Sequence, residues 1–489
     1  MNYLIGVDIG TSGTKTVLFD ECGRVIADKT VEYPMYQPQN GWAEQNPEDW
    51  YAAVRETLTA VAAALPEGAT VAGIGLSGQM HGLVMLDGDG EVIRPSIIWC
   101  DQRTGAECEE ITARVGAERL IAITANPALT GFTASKILWV RNHEPENYAR
   151  CKHILLPKDY IRYRLTGEFA TEVSDAGGMQ LLDIAKRQWS EEVLSALEID
   201  PALLAPVYES PEITGYVKGL GVLEGVPVVG GAGDNAAAAV GSGAVRAGRA
   251  FTTIGTSGVV YAHTDKPVID PKGRVHTFCC AVPGKWHVMG VTQGAGLSLK
   301  WFRTQFAKDL SYPEIDRIAA EVPVGAEKLL YLPYLMGERT PHLDPNARGV
   351  FFGMSAMHER KHFLRAVLEG VTYSLRDCVE VLREMDIPLS DMTVVGGGGR
   401  SALWRQMIAG TFDLPVKTIV NGEGAALGVA ILAGVGAGVY PSVEEACDRL
   451  IGYNEPQMPE NAEDYDKFYR IYRSVYPGVK DAFASLANL

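Results

Sequence analysis

The pentapeptide "IGTSG" occurs twice, at residues 9–13 and again at 254–258. Each copy ends a hydrophobic stretch and opens another: "YLIGVDIGTSGTKTVLFD" in the first case, "RAFTTIGTSGVVYAHT" in the second. Two alternating runs joined by glycine, threonine and serine read as a β-hairpin. A tip of that composition offers free backbone N–H groups and two hydroxyls without bulk, which suits a phosphate. One such turn is commonplace. Two matching copies about half a chain apart point to a duplicated domain with one phosphate grip in each copy.

The rest of the composition sets bounds on that reading. At 489 residues the chain exceeds one core and fits two domains of roughly 200–250 residues. The expected division is 1–244 and 245–489, with the boundary near "GSGAVRAG". Hydrophobic residues make up 47% and charged residues 21%, the balance of a globular protein. A net charge of −16 argues against nucleic acid or an anionic membrane as partner, and a small neutral substrate is the easier one to accommodate. The start, "MNYLIGVDIG", lacks the basic flank of a signal peptide. The run "GAALGVAILAGVGAGVY" is too short and glycine-rich for a membrane span and reads as a buried helix. Eight cysteines follow no metal-ligand spacing, so free thiols in a reducing cytoplasm are expected. The oligomeric state is not fixed by the sequence, which is compatible with a homodimer.

Along the chain, strands, a helix with Asn46 as N-cap and Pro47 at its first position, and then alternating strands and helices give a mixed α/β pattern. The second hairpin starts the programme again. The tail, "NAEDYDKFYRIYRSVYPGVKDAFASL", reads as an amphipathic helix packed back on the body.

Several residues carry chemistry. Asp8 ends the strand before the first tip, where a carboxylate can hold Mg²⁺ against ATP phosphates or serve the following turn by an Asx hydrogen bond. Thr11, Ser12, Gly13 and Lys15 line the first tip, although Lys15 also fits a solvated surface charge. Gly255, Thr256 and Gly258 line the second. Asp234 follows the strand "VPVVGGAG" and stands where the helix "DNAAAAV" begins. It suits a base that positions a hydroxyl and takes its proton, and equally a helix N-cap. Met80 and His81, between Gly78 and Gly82, offer an adaptable wall and a hydroxyl partner, or ordinary packing. "VVGGGGRS" is a strand-to-helix turn flat enough for an adenosine, with N–H donors at the helix start, or simply a flexible turn. No Walker A pattern occurs.

The order of "GVDIGTSGTK", "GQMHG", "WCDQRT", "GAGDNAAAAVGSGAV", "IGTSG", "LPYLMGERTPHLDPNARG" and "VVGGGGRSALWRQ" resembles the FGGY family of carbohydrate kinases. The fold this resemblance implies is α/β: two ribonuclease-H-like domains of the actin, hexokinase and Hsp70 superfold around an interdomain cleft. It implies that Asp234 is the base, that Asn235 binds substrate hydroxyls, that Met80 and His81 contact a ketose with Trp99 and Asp101 lining the same pocket, and that Arg103 fixes the loop. It assigns Gly397, Gly398 and Ser401 to the nucleotide, and ATP with Mg²⁺ as the phosphoryl donor. "GQMHG", "LLPKDYIRYRLTGEFATEVSDAGG" and "GAGDNAAAAVG" are most similar to members acting on D-xylulose, so the implied activity is ATP-dependent phosphorylation of its 5-hydroxyl. The rival substrates are ribulose, gluconate or a deoxy-ketose. "GQMHG" speaks against glycerol, whose kinases carry an Arg–Glu pair in the matching region. A nucleotide-switched chaperone or filament protein of the same fold is the rival of another class. It is disfavoured because the chain ends soon after the second domain.

Overall fold

The computed structural model describes residues 2–420 and 422–488. The first half opens with β1 (Asn2–Ile9), β2 (Gly13–Asp20) and β3 (Val25–Glu32). The helix α1 (Pro47–Ala62) follows, and Asn46 Oδ1 accepts from Glu48 N at 3.2 Å while Pro47 occupies the first turn. Trp50, Val54, Leu58 and Val61 recur at helical spacing on its buried face. Then come β4 (Thr70–Gly78), α2 (Thr133–His143), β5 (Pro227–Val229), the two-residue β6 (Ala232–Gly233) and α3 (Asp234–Gly241). The sheet order is β3-β2-β1-β4-β5, with the strand Ile213–Tyr216 antiparallel to β5 at the edge and β6 also beside β4. β1–β3 form an antiparallel meander, whereas β4, β5 and β6 run parallel to β1.

The second half repeats this plan. It contains β7 (Gly248–Ile254), β8 (Gly258–Thr264), β9 (His276–Cys279), β10 (Trp286–Thr292), α4 (Ala295–Phe306), the long α5 (Arg360–Glu384), β11 (Leu389–Val395), α6 (Ala402–Phe412), β12 (Val416–Lys417), α7 (Gly424–Gly436) and α8 (Ala462–Ala487). Its order, β10-β8-β7-β11-β12, matches the first sheet strand for strand in direction as well as position, with β9 added at the edge. Both pentapeptides are the tips of the first hairpin of their sheet.

The two cores do not divide at 244/245. Helix α7 leaves the second half and packs on the first sheet, where it shares a core with Leu4, Val17 and Val229. The sheet is shaped for it by glycine. A Cβ on Gly6 would stand 1.9 Å from Ala426 O, and one on Gly75 would stand 1.9 Å from Val429 O. α3 and α7 meet equally closely, since a Cβ on Gly428 would stand 1.9 Å from Ala237 O. The run 424–440 therefore forms, over Gly424–Gly436, a buried helix between layers, as its composition suggests. The tail helix α8 packs on the second core through Tyr465, Tyr469, Tyr472 and Phe483, and Tyr469 OH donates to Asp377 Oδ1 at 2.6 Å.

Candidate active site

Three parallel strands bring the first group of residues together. Register places Asp8 beside Ser77, and Ser77 beside Ala232, so Asp8 and Asp234 emerge at the same end of the sheet, two strands apart. Ser77 Oγ donates to Asp8 Oδ1 at 2.9 Å. Burial raises the Asp8 carboxyl, opposed by the Ser77 hydrogen bond and the Lys15 charge. Burial, followed by the negative charge of Asp8, pushes Asp234 up to about 7. Asn235 answers in part, donating to Asp234 Oδ1 from its backbone N at 2.7 Å and from Nδ2 at 3.0 Å. Asp234 is the first residue of α3, and the N-cap is Gly233, so the capping explanation for this Asp does not apply.

Two desolvated carboxylates at one strand end, each raised by burial, form a place that favours a cation. Mg²⁺ commonly uses only one or two protein carboxylates, with water and phosphate completing its shell. Among the described residues no group of three or more His, Cys, Asp or Glu forms a metal cage, and the pair fits the sparser arrangement.

The first tip is propped by side chains. Gly10 N closes it on Gly13 O at 3.0 Å. Gln45 Nε2 donates to Thr11 O at 2.7 Å, and Trp99 Nε1 donates to Thr11 Oγ1 at 2.9 Å. Gln79 Nε2 ties this frame together by donating to Gln45 Oε1 at 2.7 Å. The amides of Thr11 and Ser12 have no acceptor among the described residues, the pattern of an anion nest. Lys15 is not a free surface charge. Its Nζ meets Glu423 Oε2 at 2.5 Å and ties the hairpin to the start of α7.

The second tip is propped by backbone. Gly255 N bonds Ser257 O at 3.0 Å, and the start of α4 donates to it through Gly296 N→Gly255 O (2.8 Å) and Leu297 N→Thr256 O (3.1 Å). Its Thr256 and Ser257 amides also have no acceptor among the described residues. The glycine run lies against this hairpin, since a Cβ on Gly398 would stand 2.4 Å from Ile254 Cγ2. Gly397 is open, with nothing within 4 Å of such a Cβ. Ser401 Oγ accepts from Trp404 N at 3.0 Å as the N-cap of α6, so its hydroxyl serves the helix.

His81 sits in the left-handed region at φ 70°, a conformation that costs a non-glycine residue on the order of 1–3 kcal/mol and needs support. The support comes from Lys136 Nζ at 2.8 Å and Thr133 Oγ1 at 3.1 Å, both donating to His81 O. Lys136 is fully buried, and burial brings its ammonium down to about 7. The His81 ring is fixed by Nδ1 donating to Gly178 O at 2.8 Å. Burial, and then the charge of Lys136, lowers the ring to about 3. It is therefore neutral with its proton on Nδ1, which leaves Nε2 as a hydrogen-bond acceptor. Met80 covers Gly233, where a Cβ would come within 2.9 Å of Met80 Cγ. Met80, His81, Asp234 and Asn235 thus share one neighbourhood.

Asp101 departs from expectation. It is fully buried and accepts from Ala43 N at 2.6 Å and from Arg103 N, Nε and NH2 at 2.7–3.0 Å. Its lone pairs are consumed by the loop, and none is left for a sugar. Arg103 fixes that loop as anticipated, reaching Glu44 at 2.8 Å and stacking on Trp42. Trp99 is 43% exposed and touches the first phosphate tip. Gln45, Ser77, Thr133 and Lys136 went unnoticed in the sequence because they act through backbone or through another side chain.

The N-terminal domain model of the FGGY family of carbohydrate kinases matches residues 3–241, and the C-terminal domain model matches residues 250–437. The chain belongs to the FGGY family of carbohydrate kinases. It is 40% identical to the xylulose kinase of Bacillus subtilis over 100% of this chain and 99% of that one. Among solved structures, the xyloylose kinase of Brucella ovis superposes with a TM-score of 0.93 at 36% identity, covering 98% of this chain and 100% of the other. The gluconate kinase of Lactobacillus acidophilus gives 0.95 at 27%, covering 99% of each. The two-domain kinase fold expected from the duplicated tip is present. The protein is an enzyme, a sugar kinase using ATP as phosphoryl donor, and the chaperone or filament reading falls away. No helix among the described residues is long and apolar enough to cross a membrane, and all eight cysteines are free.

Proposed function

We propose that this FGGY kinase phosphorylates D-xylulose on its 5-hydroxyl in the cytoplasm, with Asp234 as general base. The observation that carries the reading is the Asp234 carboxylate. It stands at the strand end beside Asp8 with a pKa of about 7, Met80 lies against the Gly233 before it, and Met80 and His81 both lie against Gly178. Near neutrality such a group is divided between carboxylate and acid, which suits a base that accepts a proton as the phosphoryl bond forms. The 5-hydroxyl oxygen attacks the γ-phosphorus, its proton passes to Asp234, and ADP leaves. His81 Nε2 accepts from a sugar hydroxyl, Met80 lines the apolar edge, and Asn235 keeps Asp234 Oδ1 oriented. The paired amides at Thr11–Ser12 and Thr256–Ser257 grip phosphate oxygens from the two halves, and the open backbone at Gly397 accepts the adenosine. Mg²⁺ held near Asp8 would neutralise phosphate charge. Enclosure between the halves excludes water as a competing nucleophile.

The experiment is ADP release with Mg-ATP across D-xylulose, D- and L-ribulose, L-xylulose, gluconate and glycerol. D-xylulose gives the highest kcat/KM if the reading holds. A different winner overturns the substrate, and no response to any sugar overturns the site.

A further inference from the structure

Arg339 has no part in the chemistry above, yet the structure holds it with care. It lies in "MGERTPHLDPNAR", between two residues that are themselves pinned. The Glu338 carboxylate accepts from Thr292 Oγ1 (2.6 Å), Ser374 Oγ (3.0 Å), Gln293 N (3.0 Å) and Arg339 N (2.7 Å). Thr340 N donates to Val291 O at 2.9 Å, and its Oγ1 accepts from Val291 N at 3.1 Å and donates to Arg274 O at 2.7 Å. The Arg339 backbone is thereby fixed to the end of β10, beside β9. From β9 a chain of rings crosses to the sugar side of the first half. His276 lies 5.7 Å from Phe132, and Phe132 lies 4.8 Å from His81. After burial, the positive charge of Arg339 is among the causes that lower both histidines. The guanidinium itself is half-buried and, among the described residues, has no hydrogen bond, ion pair or ring contact.

A guanidinium has five N–H donors and no acceptor. The other groups in this neighbourhood offer less to an oxygen that only accepts: His81 Nε2 is an acceptor, Met80 is apolar, and Asn235 Nδ2 gives one of its two N–H groups to Asp234 and keeps a single neutral donor. Lys136 Nζ is fully buried on His81 O and Gly131 O. We propose that Arg339 is a specificity residue supplied by the second half, whose free N–H groups bind the C2 carbonyl oxygen of the ketose while His81 Nε2 accepts a hydrogen bond from a sugar hydroxyl. This rests on the D-xylulose reading. A pentitol replaces the carbonyl with a hydroxyl, which is the weaker partner for a fixed cationic donor.

The test compares D-xylulose with xylitol and D-arabitol, as substrates and as competitive inhibitors, in the wild type, Arg339→Met and Arg339→Lys. The Met variant raises KM for D-xylulose by roughly 10- to 100-fold, the loss of a charged hydrogen bond. Its pentitol Ki and its KM for ATP stay within a few-fold, so the preference for ketose over pentitol collapses. The Lys variant restores part of that preference. If the wild type uses D-xylulose and Arg339→Met keeps the ketose-to-pentitol ratio, or loses ATP affinity equally, this proposal alone is overturned. A wild type that prefers gluconate to every ketose overturns the substrate reading and this proposal together.

Discussion

The two IGTSG hairpins are the same turn put to unequal use. Both sit at the same place in sheets that share a five-strand order, and both leave two amides at the tip without an acceptor among the described residues. Around the tips the copies diverge. Counting back from the shared pentapeptide, Asp8 corresponds to Thr253, and counting forward, Lys15 corresponds to Val260. The first tip is propped by Gln45, Gln79 and Trp99, the second by the backbone start of α4. The helices that follow the fifth strands diverge too. α3 opens with Asp234, whose oxygen is met by Asn235, whereas α7 is preceded by Glu423, which is paired to Lys15. The glycine, threonine and serine tip was duplicated with the fold, while the pair of desolvated carboxylates, Asp8 and Asp234, stands in the first half. A backbone nest depends on conformation, which a repeated turn copies, but a carboxylate works only where side chains from neighbouring strands desolvate and orient it.

This comparison can be broken most sharply at the carboxylates after the fifth strands. Asp234→Asn lowers kcat by about 10²–10⁴-fold, the usual worth of a general base, with ATP binding by calorimetry unchanged. Glu423→Gln stays within about tenfold, because a part-exposed ion pair contributes little. Equal losses from both would mean that the two positions are not functionally distinct. Next comes the pair before the tips. Asp8→Asn costs on the order of 100-fold in kcat/KM, partly recovered at high Mg²⁺, while Thr253→Val changes little.

The same pair sets a pH signature. Asp234 must be ionised to act as base, so kcat/KM for the sugar falls as pH drops through about 7. Removing the Asp8 charge moves that acidic limb to lower pH, since a neighbouring negative charge is one of the two causes that raise Asp234. Thr253→Val leaves the limb in place. A limb unaffected by Asp8→Asn in the pH–rate profile would remove the electrostatic coupling from the mechanism. The smallest effect belongs to Ser401. Ser401→Ala costs about 1 kcal/mol of stability by denaturant titration, as loss of a helix N-cap does, and leaves KM for ATP unchanged. A rise in that KM would restore Ser401 to the nucleotide site.

Much of this arrangement was legible in the sequence. The hairpins announced themselves by alternation around a glycine tip, and α1 by Asn46-Pro47. Those signals are local, and local hydrogen bonding enforces them. For the candidate site, motif reading singled out Asp8, Met80, His81 and Asp234. It failed at Asp101, where a motif residue is spent on Ala43 and Arg103, because nothing in "WCDQRT" reveals that Ala43 would arrive from a distant strand end. Ser401 caps α6 in the structure for a related reason, since a serine at a helix start serves the helix first.

The sequence by itself determined the duplicated α/β plan, the two glycine-tipped hairpins and the residue types available for phosphoryl transfer. These follow from periodicity, turn chemistry and composition, which act within a few residues. Tertiary structure alone decided which groups meet. It decided the passage of α7 onto the first sheet through facing glycines, the clamping of a left-handed His81 by Lys136 and Thr133, and the raising of Asp234 by burial beside Asp8. Each depends on desolvation and on contacts between segments tens to hundreds of residues apart. Such terms are properties of packing in space and have no signature along the chain.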